Sequence, residues 1–308
     1  SVPTVKETIE LQRIAVEETR LGIPLLFGYD VIHGHKTIFP IPLGEAASWD
    51  LKMIERSARV AAEEASSSGF HWTFAPMIDI TRDPRWGRVM EGAGEDVYLG
   101  SEIAKARVKG FQGDDLSKNN TILACAKHFA AYGAAIAGRD YNTVDMSERE
   151  LRTTYLPPFK AAIDAGVTTF MTSFNDINGI PASGNKFLLT DILRDEWNFD
   201  GFVVTDYTSI NEMIPHGFSK DEKQAGEQAI NAGVDMDMQG GVYLRNLKTL
   251  VEEGKVSEEK ITEAARRILV LKYRLGLFKD PYRYSDEQRE KETFYKDEYL
   301  QDAKVMAI

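Results

Sequence analysis

The chain alternates short, continuously apolar runs with longer segments of helical periodicity. Six apolar runs predict buried strands, and they lie at residues 25–31, 72–79, 122–129, 167–174, 202–207 and 234–238. In the stretches between them, apolar residues recur three and four positions apart, which predicts helices. The predicted helices lie at residues 4–21, 50–69, 97–113, 147 onward, 221–232, 243–253 and 257–275. The strands begin roughly 30–50 residues apart, a spacing typical of parallel βαβ units.

Several predicted helices carry recognisable ends. Thr4 and Glu7 form a T-x-x-E capping box, in which each residue satisfies a backbone N–H of the other. Asp50 is placed to cap the second helix. The Pro157–Pro158 pair must interrupt or kink the helix that begins near residue 147, because proline cannot donate a backbone hydrogen bond.

Parallel βαβ units build either a doubly wound sheet or a (β/α) barrel. No G-x-G-x-x-G or G-x-x-x-x-G-K-[ST] motif stands at a strand-to-helix junction, which weakens the nucleotide-binding alternatives. In a barrel, the carboxyl ends of the strands share the face that hosts the active site. Polar residues cluster at those ends: Asp30, Asp79, Lys127, His128, Asn175, Asp176, Asp206 and Asp237. We therefore predict an α/β fold of the TIM-like (β/α) barrel type.

The predicted barrel differs from a regular one in its strand number. Only six strands are visible in the pattern, so the barrel is expected to be incomplete or distorted at its N-terminus. Residues 1–278 contain all six strands and form the predicted barrel domain. The sequence turns polar and charged after Gly276, so residues 279–308 are expected to form an exit segment or linker.

Composition and charge restrict the partners. The 308 residues contain 37 Lys and Arg against 48 Asp and Glu, which gives a net charge of −11. Nucleic-acid binding favours a basic face, so nucleic acid is not expected as the main partner. A single cysteine, Cys125, excludes an intrachain disulfide. No run of about 18 apolar residues predicts a membrane span.

The most informative segment is the strand at residues 202–207, which ends in Asp206. A carboxylate at a strand end is held by rigid backbone, so it suits a nucleophile, a base or a ligand; the alternative is a cap for the next helix. Lys127 and His128 end another strand. Side chains alternate along a strand, so both point inward only if the strand ends between them.

The loop at residues 83–88 places Arg85 and Arg88 on either side of Trp86. An indole stacks on apolar sugar faces and guanidinium groups bind hydroxyls, although a loop around a buried tryptophan is equally consistent with the pattern. His33 and His35 lack a third ligand nearby, and no zinc-binding spacing occurs. We therefore predict neither a metal site nor a cofactor.

Five segments taken together resemble a known family. They read GYDVIHGH at 28–35, FAPMID at 74–79, DPRWGR at 83–88, KHF at 127–129 and VTDY at 204–207. In this order, and at strand ends, they are similar to the N-terminal barrel domain of glycoside hydrolase family 3, in its bacterial periplasmic β-glucosidase branch. The resemblance extends from about residue 9 to residue 282.

The resemblance implies a retaining, exo-acting β-glycosidase that removes terminal β-linked glucose from oligosaccharides. By motif, Asp206 matches the nucleophile that forms a covalent glycosyl-enzyme. The matches to the residues that bind the terminal sugar are Asp30, Arg88, Lys127, His128, Met171 and Phe174. The charges of Lys127 and Arg88 are expected to keep Asp206 ionised and its pKa low, as a nucleophile requires. Many relatives have Tyr where Phe174 stands and Trp where Tyr207 stands, so the sugar preference is left open.

The acid/base of this reaction is not identified in the sequence. Many family members continue into an α/β sandwich domain that supplies a glutamate for this role, and they begin upstream with a helix and a first barrel strand. The resemblance therefore implies an acid/base outside these residues and a C-terminal sandwich domain as partner. If that rule fails, the alternatives are Glu91, Asp140, Asp145 and Glu212. Periplasmic or secreted localisation is implied by the family alone.

Three other functions remain as alternatives. A β-xylosidase differs only in details of the sugar subsite. A β-N-acetylglucosaminidase of the family carries an Asp–His pair after a K-H-F-P-G-H-G motif, whereas residues 127–133 read KHFAAYG and no histidine follows before His216. The last alternative is a carbohydrate-binding barrel without activity. Turnover of aryl β-glucosides separates this binding function from the enzymatic ones.

Overall fold

A ring of short parallel strands organises the chain, in a computed structural model that describes residues 4–308. The strands are β1 (Gly28–Tyr29), β2 (Trp72–Thr73), β3 (Cys125–Phe129), β4 (Thr169–Thr172), the hairpin strands β5 (Asp176–Ile177) and β6 (Ile180–Pro181), and β7 (Phe202–Val204). Hydrogen-bonded pairing joins β1 to β2 and β3 to β4 to β7, in each case in parallel. Single parallel bridges connect Trp72 to Leu123 and Val204 to Met236. Six parallel segments therefore follow one another in chain order.

Helices connect these strands and cover the outside of the ring. They are α1 (Val5–Arg13), α2 (Pro42–Ser48), α3 (Leu51–Ser67), α4 (Val97–Gln112), α5 (Glu148–Glu150), α6 (Pro157–Asp164), α7 (Ser209–Glu212), α8 (Glu222–Ala232), α9 (Val242–Glu252), α10 (Glu258–Arg274), α11 (Glu287–Thr293) and α12 (Asp297–Met306). Strands alternating with helices around one ring confirm the predicted TIM-like (β/α) barrel.

The predicted helix ends are confirmed where the sequence carried a clear signal. Thr4 N donates to Glu7 Oε2 at 2.7 Å and Glu7 N donates to Thr4 Oγ1 at 3.3 Å, which is the predicted capping box. Asp50 caps α3 by accepting from the N–H groups of its first turn. The break near the proline pair also occurs, because a π-helical turn at Leu151–Tyr155 ends before α6 begins at Pro157.

Two features of the helical layer were not predicted. A ten-residue π-helical segment, Phe187–Glu196, connects the β5–β6 hairpin to β7. Beyond residue 279, the chain forms α11 and α12, and both pack against α3. The carboxylate of Glu64 in α3 accepts a hydrogen bond from Tyr295 N at 3.2 Å, which fixes this segment to the barrel. That residues 279–308 lead towards another domain stays a prediction.

Apolar side chains fill the space between strands and helices, and a second cluster closes the amino-terminal end of the strands. Trp72 and Phe202, at the beginnings of β2 and β7, pack with Leu271 and Leu275 from the end of α10 and with Tyr284. The amino-terminal end is therefore sealed, which leaves the carboxyl ends for a site. Among residues 4–308, every helix is too short or too polar to be a candidate membrane span.

Candidate active site

The carboxyl ends of three strands bring four of the predicted site residues together. Asp30 follows β1, Lys127 and His128 lie in β3, and Asp206 comes two residues after β7. Lys127 Nζ donates to Asp30 Oδ2 at 2.6 Å, and His128 Nε2 lies 3.4 Å from Asp206 Oδ2. Residues far apart in the chain thus meet at the face where barrel enzymes hold their active sites.

Lys127 and His128 both reach this site although they are neighbours in one strand. The register between β3 and β4 shifts between Ala126 and Phe129, so the regular alternation of side chains is broken there. The sequence argument required the strand to end between the two residues. An irregularity inside the strand produces the same result.

The ion pair between Asp30 and Lys127 is asymmetric in its exposure. The Lys127 side chain is 4% exposed, whereas that of Asp30 is 42% exposed. The ammonium group is thus held in the wall of the site and the carboxylate faces the opening. Such a carboxylate has acceptor capacity left for hydroxyl donors from solvent or a ligand.

Asp206 is partly enclosed, and its side chain is 14% exposed. Its Oδ1 accepts a hydrogen bond from Tyr207 N at 2.7 Å. Burial raises the pKa of Asp206, and this effect outweighs the Tyr207 N–H and the charges of Lys127 and Arg88, which lower it. The expectation that the two cations keep this pKa low is therefore wrong for the unliganded site, because the sequence pattern did not reveal how far the carboxylate is desolvated.

Asp79, which the sequence indicated only as a polar residue at a strand end, contacts His128 through the ring nitrogen that does not face Asp206. Asp79 Oδ2 lies 2.8 Å from His128 Nδ1 and also accepts from His128 N at 3.0 Å. Burial lowers the pKa of His128 well below its ordinary value, so the imidazole is neutral. The signal that could have found this contact is the shared position of Asp79 and His128 at the ends of neighbouring strands.

Arg88 lies beside the site and is oriented by two contacts. Its Nε and Nη2 donate to Glu91 Oε1 and Oε2 at 2.7 and 2.9 Å. The guanidinium carbon also lies 5.6 Å from the centroid of the Tyr132 ring. Nε and Nη2 of Arg88 are thus engaged by Glu91, and Glu91 in turn is engaged in an ion pair rather than available as an acid.

Trp86 does not have the exposure that sugar stacking requires. The residue is 1% exposed, and its Nε1 donates to Asp140 Oδ1 at 2.8 Å. The alternative interpretation, a loop around a buried tryptophan, is therefore correct. Arg85 pairs with Asp83 at 2.6 Å, and its side chain is 70% exposed.

The two remaining predicted residues occupy different layers. Met171 pairs in register with Val204, which lies two residues before Asp206, so its side chain points into the barrel interior one layer below Asp206. Phe174 belongs to an aromatic wall, where its ring centroid lies 4.4 Å from that of Tyr141 and 5.9 Å from that of Tyr132.

The described residues contain no metal cluster, and the alternative acid/base residues differ in their surroundings. Within residues 4–308, no group of three or more His, Cys, Asp or Glu side chains is arranged to hold a metal ion. Of the four alternative acid/base residues, Glu91 is paired with Arg88, Asp140 accepts from Trp86 and Asp145 is exposed on its loop. Glu212 lies at the end of α7 and is half-buried.

The chain is similar to several characterised proteins. It is 45% identical over 279 residues to the periplasmic β-glucosidase of Salmonella typhimurium, covering 91% of this chain and 36% of the relative. It is 37% identical to a β-xylosidase of Formosa agariphila, covering 89% of this chain and 41% of the relative. The crystal structure of a Listeria innocua β-glucosidase with isofagomine superposes with a TM-score of 0.97 at 48% identity, covering 99% of this chain and 43% of the other.

The chain therefore spans less than half the length of these relatives. The family model of the glycosyl hydrolase family 3 N terminal domain matches residues 2–271. The barrel, the polar face at its strand ends and this match lead to the same assignment: the chain belongs to glycosyl hydrolase family 3, through the N-terminal domain of that family.

Proposed function

We propose that the protein is a retaining, exo-acting β-glycosidase that hydrolyses terminal β-linked glucose, and that Asp206 is its nucleophile. One observation carries the proposal: the Asp206 carboxylate is held at a barrel strand end, beside His128 and the Asp30–Lys127 pair. The similarity to proteins named β-glucosidase from Salmonella typhimurium and Listeria innocua supports glucose as the sugar.

In the first step, the ionised Asp206 carboxylate attacks the anomeric carbon of the sugar. A bond forms between a carboxylate oxygen and C1, and the bond from C1 to the leaving oxygen breaks with its electron pair on that oxygen. In the second step, water attacks C1 and releases the carboxylate, so two inversions give net retention. The preorganised site keeps Asp206 from rotating, because Tyr207 N binds one of its oxygens.

The hydroxyls of the terminal sugar are recognised by charged groups of opposite sign. Lys127 and Arg88 can only donate hydrogen bonds, whereas the exposed carboxylate of Asp30 can only accept them. A pyranose presents hydroxyls that do both, so this set matches the hydroxyls of a sugar ring. Phe174 and Met171 contribute apolar surface at the wall and floor of the subsite.

The leaving oxygen needs a proton, and we propose that the acid/base belongs to a part of the whole protein outside this chain, namely a C-terminal α/β sandwich domain. A retaining pair requires a second carboxyl about 5–5.5 Å from the nucleophile. Of the four alternatives, Glu91 and Asp140 are each engaged by another side chain, and Asp145 is exposed on its loop. This engagement supports an acid supplied from elsewhere.

An activated substrate tests the nucleophile without the missing acid. The 2,4-dinitrophenolate ion leaves without protonation, so 2,4-dinitrophenyl β-glucoside requires only the carboxylate. We expect this chain to release one equivalent of dinitrophenolate rapidly and then to stop or slow, because water attack lacks a base. A mass increase of one glucosyl group on the protein identifies the covalent product. Release that is equally fast from Asp206→Ala would contradict the proposal.

The second candidate function is that of a β-xylosidase, which the named relatives from Formosa agariphila favour. A xyloside lacks the hydroxymethyl group of a glucoside but shares its remaining hydroxyls. The two are separated by comparing the burst rate constants with dinitrophenyl β-glucoside and dinitrophenyl β-xyloside at equal concentration. A faster burst with the xyloside would assign the chain to this alternative.

We also propose that the whole protein acts in the periplasm or outside the cell on β-linked oligosaccharides. The similarity to the periplasmic β-glucosidase of Salmonella typhimurium supports this location. Fractionation of the native organism tests it, since the proposal requires the protein in the exported fraction. Recovery with a cytoplasmic marker enzyme would contradict it.

The pH dependence of the burst follows from the raised pKa of Asp206. Attack requires the ionised carboxylate, so the rate should fall as the pH drops through this pKa, at a higher pH than for an ordinary aspartate. The negative charge of Asp30 contributes to the rise, so Asp30→Asn should move the acid limb to lower pH. Lys127→Met removes a charge that opposes the rise, so it should move the limb to higher pH. A profile that neither variant moves would contradict this account.

Asp30 is expected to contribute mainly to binding. In Asp30→Ala, a sugar hydroxyl loses its charged hydrogen-bond partner. We expect this loss to weaken the apparent affinity for the glucoside about 10- to 100-fold. The measurement is the concentration of dinitrophenyl β-glucoside that gives half the maximal burst rate. Asp114→Ala removes an exposed carboxylate on the loop after α4 and serves as the matched control. An unchanged half-saturation in Asp30→Ala would exclude its role as a sugar ligand.

A further inference from the structure

The imidazole of His128 lies between two carboxylates, one close to Nδ1 and the other further from Nε2. Nδ1 is within hydrogen-bond distance of Asp79 Oδ2, at 2.8 Å, whereas Nε2 is 3.4 Å from Asp206 Oδ2. That second distance is too long for a good hydrogen bond. Among the residues that the structure describes, Nε2 is a buried nitrogen without a hydrogen-bond partner.

Asp79 is fixed relative to this ring. The same oxygen, Oδ2, also accepts the backbone N–H of His128 at 3.0 Å, and the side chains of His128 and Asp79 are 1% and 0% exposed. An ionised carboxylate only accepts hydrogen bonds. The contact with Nδ1 therefore requires that Nδ1 carries the proton.

The position of this proton decides the chemistry of the other nitrogen. A neutral imidazole has one N–H, so a proton on Nδ1 leaves Nε2 with a lone pair. Nε2 then cannot donate to Asp206, which agrees with the long distance between them. Lys127 and Arg88, the other nitrogen-bearing side chains of the site, are donors only, so Nε2 is the one nitrogen there that accepts.

We propose that Asp79 is a positioning residue that fixes His128 in the tautomer with the proton on Nδ1, so that Nε2 accepts a hydrogen bond from a hydroxyl of the bound sugar beside Asp206. The part that concerns the sugar rests on the proposed glycosidase function. The part that concerns the tautomer is a property of this chain alone.

The protonation state of Asp79 determines the pH at which the His128 tautomer must be measured. Burial raises the pKa of Asp79 to about 7; the His128 backbone N–H and the charges of Arg88 and Lys127 oppose this rise, and Glu91 adds to it. Below that pH, the Asp79 carboxyl is protonated and can donate as well as accept, so it no longer fixes the proton on Nδ1. The tautomer must therefore be measured on the alkaline side of this pKa.

Nitrogen-15 NMR of the imidazole rings tests the tautomer directly. The chain has five histidines, and the resonance missing in His128→Gln assigns the ring in question. At alkaline pH we expect a protonated Nδ1 and an unprotonated Nε2 in the unaltered chain and in Asp79→Asn, whose amide oxygen can still accept. Asp79→Ala should shift the proton to Nε2, which can then donate to Asp206. A protonated Nε2 in the unaltered chain would overturn the proposal, whether or not the alanine variant folds.

The burst reaction tests the consequence for the sugar. We expect Asp79→Ala to lower the burst rate about 10- to 100-fold, because Nε2 then donates where the hydroxyl also donates. Asp83→Asn changes a half-buried carboxylate four residues further along, which pairs with the exposed Arg85, and it is the matched control, with an unchanged rate. An unchanged rate in Asp79→Ala would contradict the inference.

Modified sugars separate positioning from a general structural effect. Fluorine cannot donate a hydrogen bond, so at the hydroxyl bound by Nε2 the deoxyfluoro and deoxy glucosides both lose the contact; the electronic effect of fluorine is cancelled by comparing each sugar between the unaltered chain and Asp79→Ala. Asp79→Ala should reduce the penalty for altering that one hydroxyl. Equal losses with every modified glucoside would show that Asp79 is only structural. If the unaltered chain reacts with no glucoside, the proposed function fails, while the NMR result still decides the tautomer.

Discussion

Asp206→Ala is expected to lower the burst of dinitrophenolate by at least about 10³-fold, since it removes the group that forms the covalent bond. The variant is expected to keep β7 and α7 intact, because Asp206 lies between them and its side chain hydrogen-bonds only to the neighbouring Tyr207 N. The measurement is stopped-flow absorbance at saturating glucoside. A residual burst of one equivalent in the variant would mean that another residue attacks the sugar.

Azide distinguishes a missing nucleophile from a misfolded site. In Asp206→Ala, azide can enter the space left by the carboxylate and attack C1 directly, with a single inversion, so the product is the α-glucosyl azide. In the unaltered chain, azide attacks the glycosyl-enzyme from the opposite face, and two inversions give the β-glucosyl azide. Detection of the β product from the variant would contradict the assignment of Asp206 as nucleophile.

The second large effect is expected on stability, at the buried ion pair between Arg107 of α4 and Glu45 of α2. Their side chains are 4% and 1% exposed, and Arg107 also donates to Ile32 O at 3.1 Å. Arg107→Met leaves the Glu45 carboxylate buried without its cation. We expect this to lower the free energy of unfolding by about 3–5 kcal/mol, measured by urea denaturation.

A double variant tests the cause of that loss. Replacing both partners with apolar residues, in Arg107→Met with Glu45→Leu, removes the uncompensated charge and should recover most of the stability. Arg107 binds the backbone two residues after Asp30. The single variant should therefore also raise the glucoside concentration that gives half the maximal burst rate. Equal stability of the unaltered chain and Arg107→Met would show that the pair contributes nothing to folding.

The sequence was sufficient to locate the face of the barrel that carries the site. Apolar runs ending in Asp30, His128 and Asp206 are a local signal, and the parallel topology brings such ends together without further information. The match to family motifs added candidate roles for single residues. Both arguments use local sequence signals. Which of these side chains contact one another is determined by the register of the strands, which the sequence does not display.

The remaining features depended on burial and on contacts across the chain. Asp79 and His128 are 49 positions apart, and nothing in the sequence pairs this carboxylate with this imidazole. The pKa of Asp206 was predicted in the wrong direction because burial, which the sequence does not display, outweighs the nearby cations. Trp86 was considered for sugar stacking because its flanking arginines are visible in the sequence and its hydrogen bond to Asp140 is not.

The most direct test of the account is to identify the carboxylate that a mechanism-based sugar labels. A 2-deoxy-2-fluoro-β-glucoside of dinitrophenol forms the covalent adduct but hydrolyses slowly, because the fluorine destabilises the positively charged transition states. Trypsin releases residues 195–220 as one peptide, which contains Asp195, Glu196, Asp200, Asp206 and Glu212. We predict that fragmentation of this peptide places the fluoroglucosyl group on Asp206. A label on any other residue, within this peptide or outside it, would contradict the central claim.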